Sequence, residues 1–277
     1  MIFKIETDDL VGYRGELMLK RTVSAIVGIP LLIFLLIKGG ILLYLATIII
    51  SIIGLYEFYN AMRFKNYNPI NFIGYILSIV LLSILYFFKS TALILFFLFI
   101  SIIILSGILL FNLKYTVKDI SITLYGIIYI SLFLGHIILV SKFQNKWIIW
   151  LIFIVAWSTD TFAYFGGYLW GNKKLCPNIS PKKTIAGAIT GIIGSILSCC
   201  LFGYIFLEQN ILLIALFGFI GSIISQFGDL TASQIKRYTN VKDFGNLIPG
   251  HGGILDRFDS ILFTAPFVYY FFLFFIR

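Results

Sequence analysis

Charge is scarce in this sequence. Asp, Glu, Lys and Arg make up 12% of the 277 residues, where a soluble domain usually carries roughly 25%. Hydrophobic residues reach 60% and the mean hydropathy is +1.01. A soluble fold of this length could not hide so much apolar surface, so the chain is expected to sit in lipid. Cysteine is rare and badly placed for chemistry. Cys176, Cys199 and Cys200 are odd in number and form no CxxC pair, which argues against a disulfide framework and against zinc; they read as small apolar filler. Two histidines do not make a cluster for zinc. The N-terminus is mixed and acidic and does not have the pattern of a secretory signal. No polar stretch is long enough for a large soluble domain. Neither GxxxxGK[ST] nor a dinucleotide fingerprint occurs.

What is present is a succession of apolar runs of spanning length. They predict helices at roughly 22–38, 40–62, 69–88, 91–112, 120–141, 147–170, 184–207, 210–235 and 259–276. The expected fold is an all-α integral membrane protein with about nine transmembrane helices in one domain, residues 18–277. Residues 1–17 hold Glu6, Asp8, Asp9 and Glu16 and are expected to be an N-terminal extension or a short cytoplasmic arm.

The net charge is +9. In a soluble protein this would suggest nucleic acid. In a membrane protein it fits positive-inside topology and an anionic ligand or headgroup at one face, with no nucleic-acid partner expected. If the N-terminus lies inside and the spans alternate, the outside segments hold Lys38, Lys89, Lys142, Lys146 and Arg277. Every other Lys and Arg falls inside. The bias predicts a cytoplasmic N-terminus, an outside C-terminus, and a shared cytoplasmic side for the basic loops 171–183 and 236–258.

Acidic residues after position 17 are few. Asp119 and Glu208 are expected in solvated loops. Glu57, near the cytoplasmic end of the second helix, is read as secondary. Asp160 and Asp229 fall within or near the ends of apolar helices, where a central carboxylate costs ~2.5–3.5 kcal/mol to insert. Asp229 lies on a stripe with Ser222, Ser225, Gln226 and Ser233, which share one helical face. Small polar residues alone would suit helix packing; the added carboxylate points to function. Asp160 shares a face with Tyr164 and Gly167 and reads as a wall of the same site. Asp256 and Asp259 are three apart at the entry to the last helix. Local ion pairing with Arg257 would explain them, as would hard-metal ligation, since carboxylates suit Mg²⁺.

Ser180-Pro181-Lys182-Lys183-Thr184 leads toward the seventh helix and reads as an anion seat at a helix entrance. Positive-inside flanking would account for the lysines alone. Pro249-Gly250-His251-Gly252-Gly253 is too rich in glycine for a helix and lets backbone amides approach a ligand.

One pattern unites these residues. Ser233, Lys236, Arg237, Lys242, Asp243, Gly245, Pro249, His251, Gly252, Gly253, Asp256, Arg257 and Asp259 follow one another without a gap in the order Ser-x-apolar-Lys-Arg, Lys-Asp-x-small, Pro-x-His-Gly-Gly-apolar-x-Asp-Arg-apolar-Asp. This stretch resembles the signature of the phosphatidate cytidylyltransferases, or CDP-diacylglycerol synthases. The Ser180–Thr184 stretch, the surroundings of Asp160 and the segment opening at Met18 are also similar to that family. The resemblance implies transfer of a cytidylyl group from CTP to phosphatidate, giving CDP-diacylglycerol and pyrophosphate in phospholipid biosynthesis. It implies a multi-pass enzyme of the cell (inner) membrane facing the cytoplasm, a homodimer among membrane lipids, needing Mg²⁺ and helped by K⁺. By similarity Asp229 and Asp256 are the metal carboxylates. Lys236, Arg237, Arg257 and Asp259 join them in catalysis. Ser180, Lys182, Lys183, Thr184, Asp160, Ser233, Lys242, Asp243, His251, Gly252 and Gly253 are the expected substrate contacts. Two other readings stand beside this one: the same chemistry on a different lipid phosphate, as in an archaeal-type CDP-lipid synthase, and a membrane transporter. A CDP-alcohol phosphotransferase fits less well, because its pattern of spaced aspartates is absent.

Overall fold

The computed structural model describes residues 26–275 apart from 89, 249 and 251. Residues 1–17 and His251, both singled out above, lie outside the described residues.

Helices α1 (Ile26–Lys38), α2 (Gly40–Arg63), α3 (Asn71–Phe87) and α4 (Thr91–Phe111) open the bundle. Then α5 (Val117–Gly126) runs through a π-helical turn at Ile127–Leu132 into α6 (Phe133–Val140). A 3₁₀ turn at Lys146–Ile149 leads into α7 (Trp150–Trp170). A short hairpin follows, β1 (Lys174–Cys176) and β2 (Ser180–Thr184), antiparallel with Lys174 opposite Thr184. Helices α8 (Ile185–Phe206), α9 (Ile211–Thr239) and α10 (Leu255–Phe275) complete the chain. Each expected run contains a helix. Among the described residues, seven helical spans are long and apolar enough to cross a membrane, while Ile26–Lys38 and Asn71–Phe87 are shorter.

The structure departs from the sequence reading in three places. The Ser180–Thr184 stretch leads directly into a helix as expected, but it does so as a strand in an otherwise helical chain. Pro181 has no N–H to give a ladder, which a two-stranded hairpin tolerates because both strands are edges. Thr184 alone serves the helix, as the N-cap of α8, accepting from the Gly187 amide at 3.1 Å. The last two helices also move toward one another in sequence. α9 continues to Thr239 and α10 begins at Leu255, so the motif loop is shorter than expected. Finally, Asp119 is not a solvated loop residue: it is 3% exposed. It closes a capping box with Thr116 at the start of α5 and accepts the Asn68 amide at 2.6 Å, tying the α2–α3 connection to α5. Two acceptor oxygens there satisfy donors from two segments, which is why the charge can be buried.

Lipid tails are as apolar as leucine, so close backbone approach and hydroxyl bonds must hold such helices together. In the first half, the hydroxyls of Ser51 (α2), Ser78 (α3) and Ser131 (π turn) meet at 2.7–3.1 Å. Tyr59 is fully buried, donates to the Thr123 carbonyl at 2.9 Å, and fills the space left by Gly74 and Gly126. In the second half, Gly187, Gly191 and Gly194 share one face of α8 and press against α7. A β-carbon on Gly191 would sit 2.9 Å from the Thr159 carbonyl oxygen. This seam draws β2 and the start of α8 close to α7 and α9. Helix α10 packs on α9, α6, α7 and α2, and so sits between the two halves.

The seam makes a direct prediction. Gly191→Ala should lower thermal stability in detergent by about 1–3 kcal/mol, the cost of overpacking a closed contact. Gly107→Ala on α4, where an added β-carbon meets nothing within 4 Å, should be neutral or slightly stabilising because alanine is the better helix former. Equal effects in thermal unfolding would contradict the seam.

Candidate active site

The site is assembled where α9 ends and α10 begins. Lys236 and Arg237 occupy the last turn of α9, where cations complement the helix dipole. Asn240 ends the helix in the left-handed conformation, with φ of 60°, which asparagine tolerates better than most residues. The returning loop closes on itself through a bridge between Ile248 and Gly252, with the Ile248 amide 2.9 Å from the Gly252 carbonyl. Gly252 has φ of +85°, and a β-carbon there would lie 3.0 Å from an Asp256 oxygen. Glycine is needed at this position on both counts.

Asp256 lies in the first turn of α10 and is 8% exposed. Its Oδ1 pairs with Lys236 Nζ at 2.7 Å. Its Oδ2 accepts the amides of Phe244 at 2.8 Å and Gly253 at 3.0 Å. The Lys236 ammonium also lies 5.4 Å from the centre of the Phe244 ring. One carboxylate therefore ties together the end of α9, the loop and the start of α10.

Asp229 sits about two turns before Lys236 on α9. It forms an ion pair with Lys183 of β2 and accepts from Ser233 Oγ at 3.4 Å. Asp259, one turn beyond Asp256, accepts its neighbour Ser260's amide at 2.7 Å. It lies close enough to Asp229, Asp160 and Lys236 for their charges to interact. Asp160, exposed on α7, feels Asp229, Lys183 and Arg257 in the same way. Three helices and the hairpin thus bring Asp160, Lys183, Asp229, Lys236, Asp256, Arg257 and Asp259 into one neighbourhood.

The other predicted residues divide. Arg237 Nε donates to the Ile179 carbonyl at 3.2 Å and holds the hairpin against α9. Ser180 belongs to the hairpin ladder opposite Cys176. Thr184 is buried as a helix cap. Lys182, Lys242 and Asp243 are exposed, and Arg257 is exposed as well. Gly253 donates to Asp256.

The polar stripe on α9 is two things. Ser222 accepts from Thr159 of α7 at 3.0 Å, and Gln226 donates to the Ala188 carbonyl of α8 at 3.2 Å. Those two residues are helix glue. Asp229 and Ser233, at the far end of the stripe, belong to the charged neighbourhood.

Two further residues stand here, one read from the sequence as secondary and one not singled out at all. Glu57 of α2 is 3% exposed and accepts the amides of Ile254 at 2.9 Å and Leu255 at 2.8 Å. Tyr129 lies on the π-helical turn, a distortion common at functional sites. Its buried hydroxyl has no hydrogen-bond partner among the described residues, and its charge environment includes Asp259 and Asp229. The extra acid in an apolar helix was a visible sign for Glu57. Nothing local distinguishes Tyr129 from 15 other tyrosines.

The donors suit a hard cation. Asp229 and Asp256 each already face an ammonium group, and their oxygens are the ligands Mg²⁺ prefers. Among the described residues no three His, Cys, Asp or Glu side chains converge as a metal cluster. A metal here would draw on one or two carboxylates and complete its shell from substrate oxygens and water, which is the habit of Mg²⁺.

A helical membrane bundle with paired carboxylates, lysines and a glycine loop at one end defines a class: membrane enzymes that handle phosphate anions. The comparisons with known proteins narrow this. The model of the cytidylyltransferase family matches residues 19–275, and the chain belongs to that family. It is similar to a phosphatidate cytidylyltransferase of Staphylococcus epidermidis, 34% identical over 89% of this chain and 95% of the relative. Another from Synechocystis sp. is 36% identical over 91% of this chain and 95% of the relative. One from Rickettsia bellii is 42% identical over 56% of this chain and 71% of the relative.

The buried pair separates structural from peripheral cations. Lys236→Ala leaves Asp256 buried without its counter-charge and should cost about 3–5 kcal/mol of stability. Arg257→Ala, at an exposed position, should stay within about 0.5 kcal/mol of wild type. Thermal unfolding in detergent decides, and equal losses would contradict the assignment.

Proposed function

We propose that this enzyme transfers the cytidylyl group of CTP to phosphatidate, releasing pyrophosphate and forming CDP-diacylglycerol. The observation that carries the reading is the pairing of Asp229 with Lys183 and Asp256 with Lys236 in one neighbourhood, within a chain that belongs to the cytidylyltransferase family. The names of the relatives support phosphatidate as the acceptor.

The chemistry requires two polyanions to meet. A phosphate oxygen of phosphatidate attacks the α-phosphorus of CTP and forms a new P–O–P bridge. The bond between the α-phosphorus and the bridging oxygen breaks, and pyrophosphate leaves with the electron pair. The nucleophile is already an anion, so no strong general base is required. Positioning and charge neutralisation carry the catalysis. Lys183 and Lys236 can exchange their carboxylate partners for phosphate oxygens while remaining in place. Arg257 and Lys182 are exposed around them and free to reach phosphate; arginine is suited to bidentate contacts. Asp229 and Asp256 would hold Mg²⁺, which when bound supplies positive charge that offsets the phosphates and polarises the α-phosphorus. K⁺ is proposed as a second, helper ion. The exposed apolar faces of the helices would leave the acyl chains in lipid.

The same reading extends to placement. The enzyme is proposed to lie in the cell membrane as a homodimer, with about nine crossings, the N-terminus and the site on the cytoplasmic side and the C-terminus outside. The distribution of Lys and Arg supports that orientation.

Asp229→Asn and Asp256→Asn should each abolish Mg²⁺-dependent incorporation of labelled CTP into lipid, by about 10²-fold or more. Chelation should silence the wild type, with activity returning on Mg²⁺ addition. Normal activity in both variants would remove the two carboxylates from the reaction. Competition between phosphatidate and other lipid phosphates should favour phosphatidate; preference for another lipid would reassign the acceptor.

A further inference from the structure

Glu57 lies 197 positions before Ile254 in the chain, yet its carboxylate meets the amides of Ile254 and Leu255. The first amides of a helix have no partners within it. At α10 these groups are claimed by carboxylates: Gly253 by Asp256, and Ile254 and Leu255 by Glu57. The Phe244 amide is held by Asp256 as well. Glu57 therefore stands on the far side of the same turn from which Asp256 reaches Lys236.

The packing around Glu57 is as specific as its hydrogen bonds. Gly245 and Gly253 lie flat against its carboxylate, and a β-carbon on either would collide with it. These two glycines belong to the motif for a reason unrelated to ligand approach: they make room for an acid from another helix. On its outer side Glu57 lines a cavity of about 820 Å³ together with Phe244, Gly245, Asn60 and Arg63. Its negative charge is met by the positive end of the α10 dipole.

We infer that Glu57 is a positioning residue for cytidylyl transfer: it fixes the turn from Gly253 to Leu255, and so sets the direction in which Asp256 presents its Lys236-paired oxygen to cation and phosphate. This rests on the proposed part of Asp256 in the reaction. Loss of Glu57 frees two helix-entry amides and leaves space beside two glycines, so the turn gains room to move. Displacements of around 1 Å at a reacting centre can cost up to ~10²-fold in rate.

The test uses the full chain in lipid–detergent micelles, with kcat and KM for CTP referred to folded enzyme. Glu57→Ala should lower kcat about tenfold or more while KM for CTP stays within about twofold. Glu57→Gln keeps one acceptor oxygen and should fall between the alanine variant and wild type. Gly245→Ala alone should also lower kcat, but should cost nothing further when added to Glu57→Ala, because its obstacle is then gone. Wild-type kcat per folded molecule in Glu57→Ala, even with a lower melting temperature, would reduce Glu57 to a helix cap and overturn the inference. Additive losses in the double variant would overturn the shared contact. If the alanine variant does not fold, wild-type kcat in Glu57→Gln overturns it instead. Asp256→Asn in parallel separates the two claims. Full activity there removes Asp256 from the reaction, whereas loss there with an unaffected Glu57→Ala removes Glu57 alone.

Discussion

A carboxylate held away from water must be matched by a cation or by hydrogen-bond donors, and at a membrane the requirement is severe. Asp256 meets it with one ammonium and two amides. Much of the local structure follows from that one set of contacts. Lys236 must be at the end of α9, Phe244 must turn its amide inward, and Gly252 must adopt a conformation that leaves the oxygen uncrowded. The same arrangement is chemically useful. A carboxylate satisfied on one oxygen by backbone, and on the other by an exchangeable lysine, can trade that lysine for a cation without moving. In the proposed reaction a lysine released in this way takes phosphate oxygens as its next partner.

The rest of the bundle serves to bring a second such pair beside the first. Lys183 reaches Asp229 because a hairpin, not a helix, carries it over the end of α9, and because Arg237 ties that hairpin down at Ile179. The hairpin is anchored by Thr184 at the start of α8. That helix is drawn against α7 by Gly187, Gly191 and Gly194. Small residues on the α7–α8 seam and the charged residues of the site are thus parts of one arrangement. The first half of the chain contributes through α2, whose Glu57 reaches the entry of α10, and through the π turn that carries Tyr129.

Several features were legible in the sequence because charge is so rare in it. An aspartate amid apolar residues stands out, and Asp160, Asp229, Asp256 and Asp259 all fall into one neighbourhood. The apolar runs located the helices, since a span in lipid needs a minimum length. What could not be read were contacts set by distant pairing. Asp119 has the sequence surroundings of a loop acid, and its burial depends on the Asn68 amide far upstream. Glu57 passed as secondary because its partners are backbone amides, which any sequence supplies. The Ser180–Thr184 stretch carries helix-entry residues, but a five-residue strand needs its partner at Lys174–Cys176 before it can be recognised. The polar stripe on α9 is the face that meets α7, α8 and the hairpin, while its division into helix glue and candidate site depended on which neighbouring element lay opposite each turn.

The central claim is that Asp229 and Asp256 converge on one cation shared with the triphosphate of CTP. It is tested most directly by a structure of the enzyme with Mg²⁺ and a CTP analogue whose α–β bridge cannot be cleaved. The account predicts a metal about 2.0–2.1 Å from an oxygen of each carboxylate, with Lys183 and Lys236 turned from the carboxylates to phosphate oxygens. A triphosphate bound elsewhere, with both carboxylates still paired to their lysines, would contradict it.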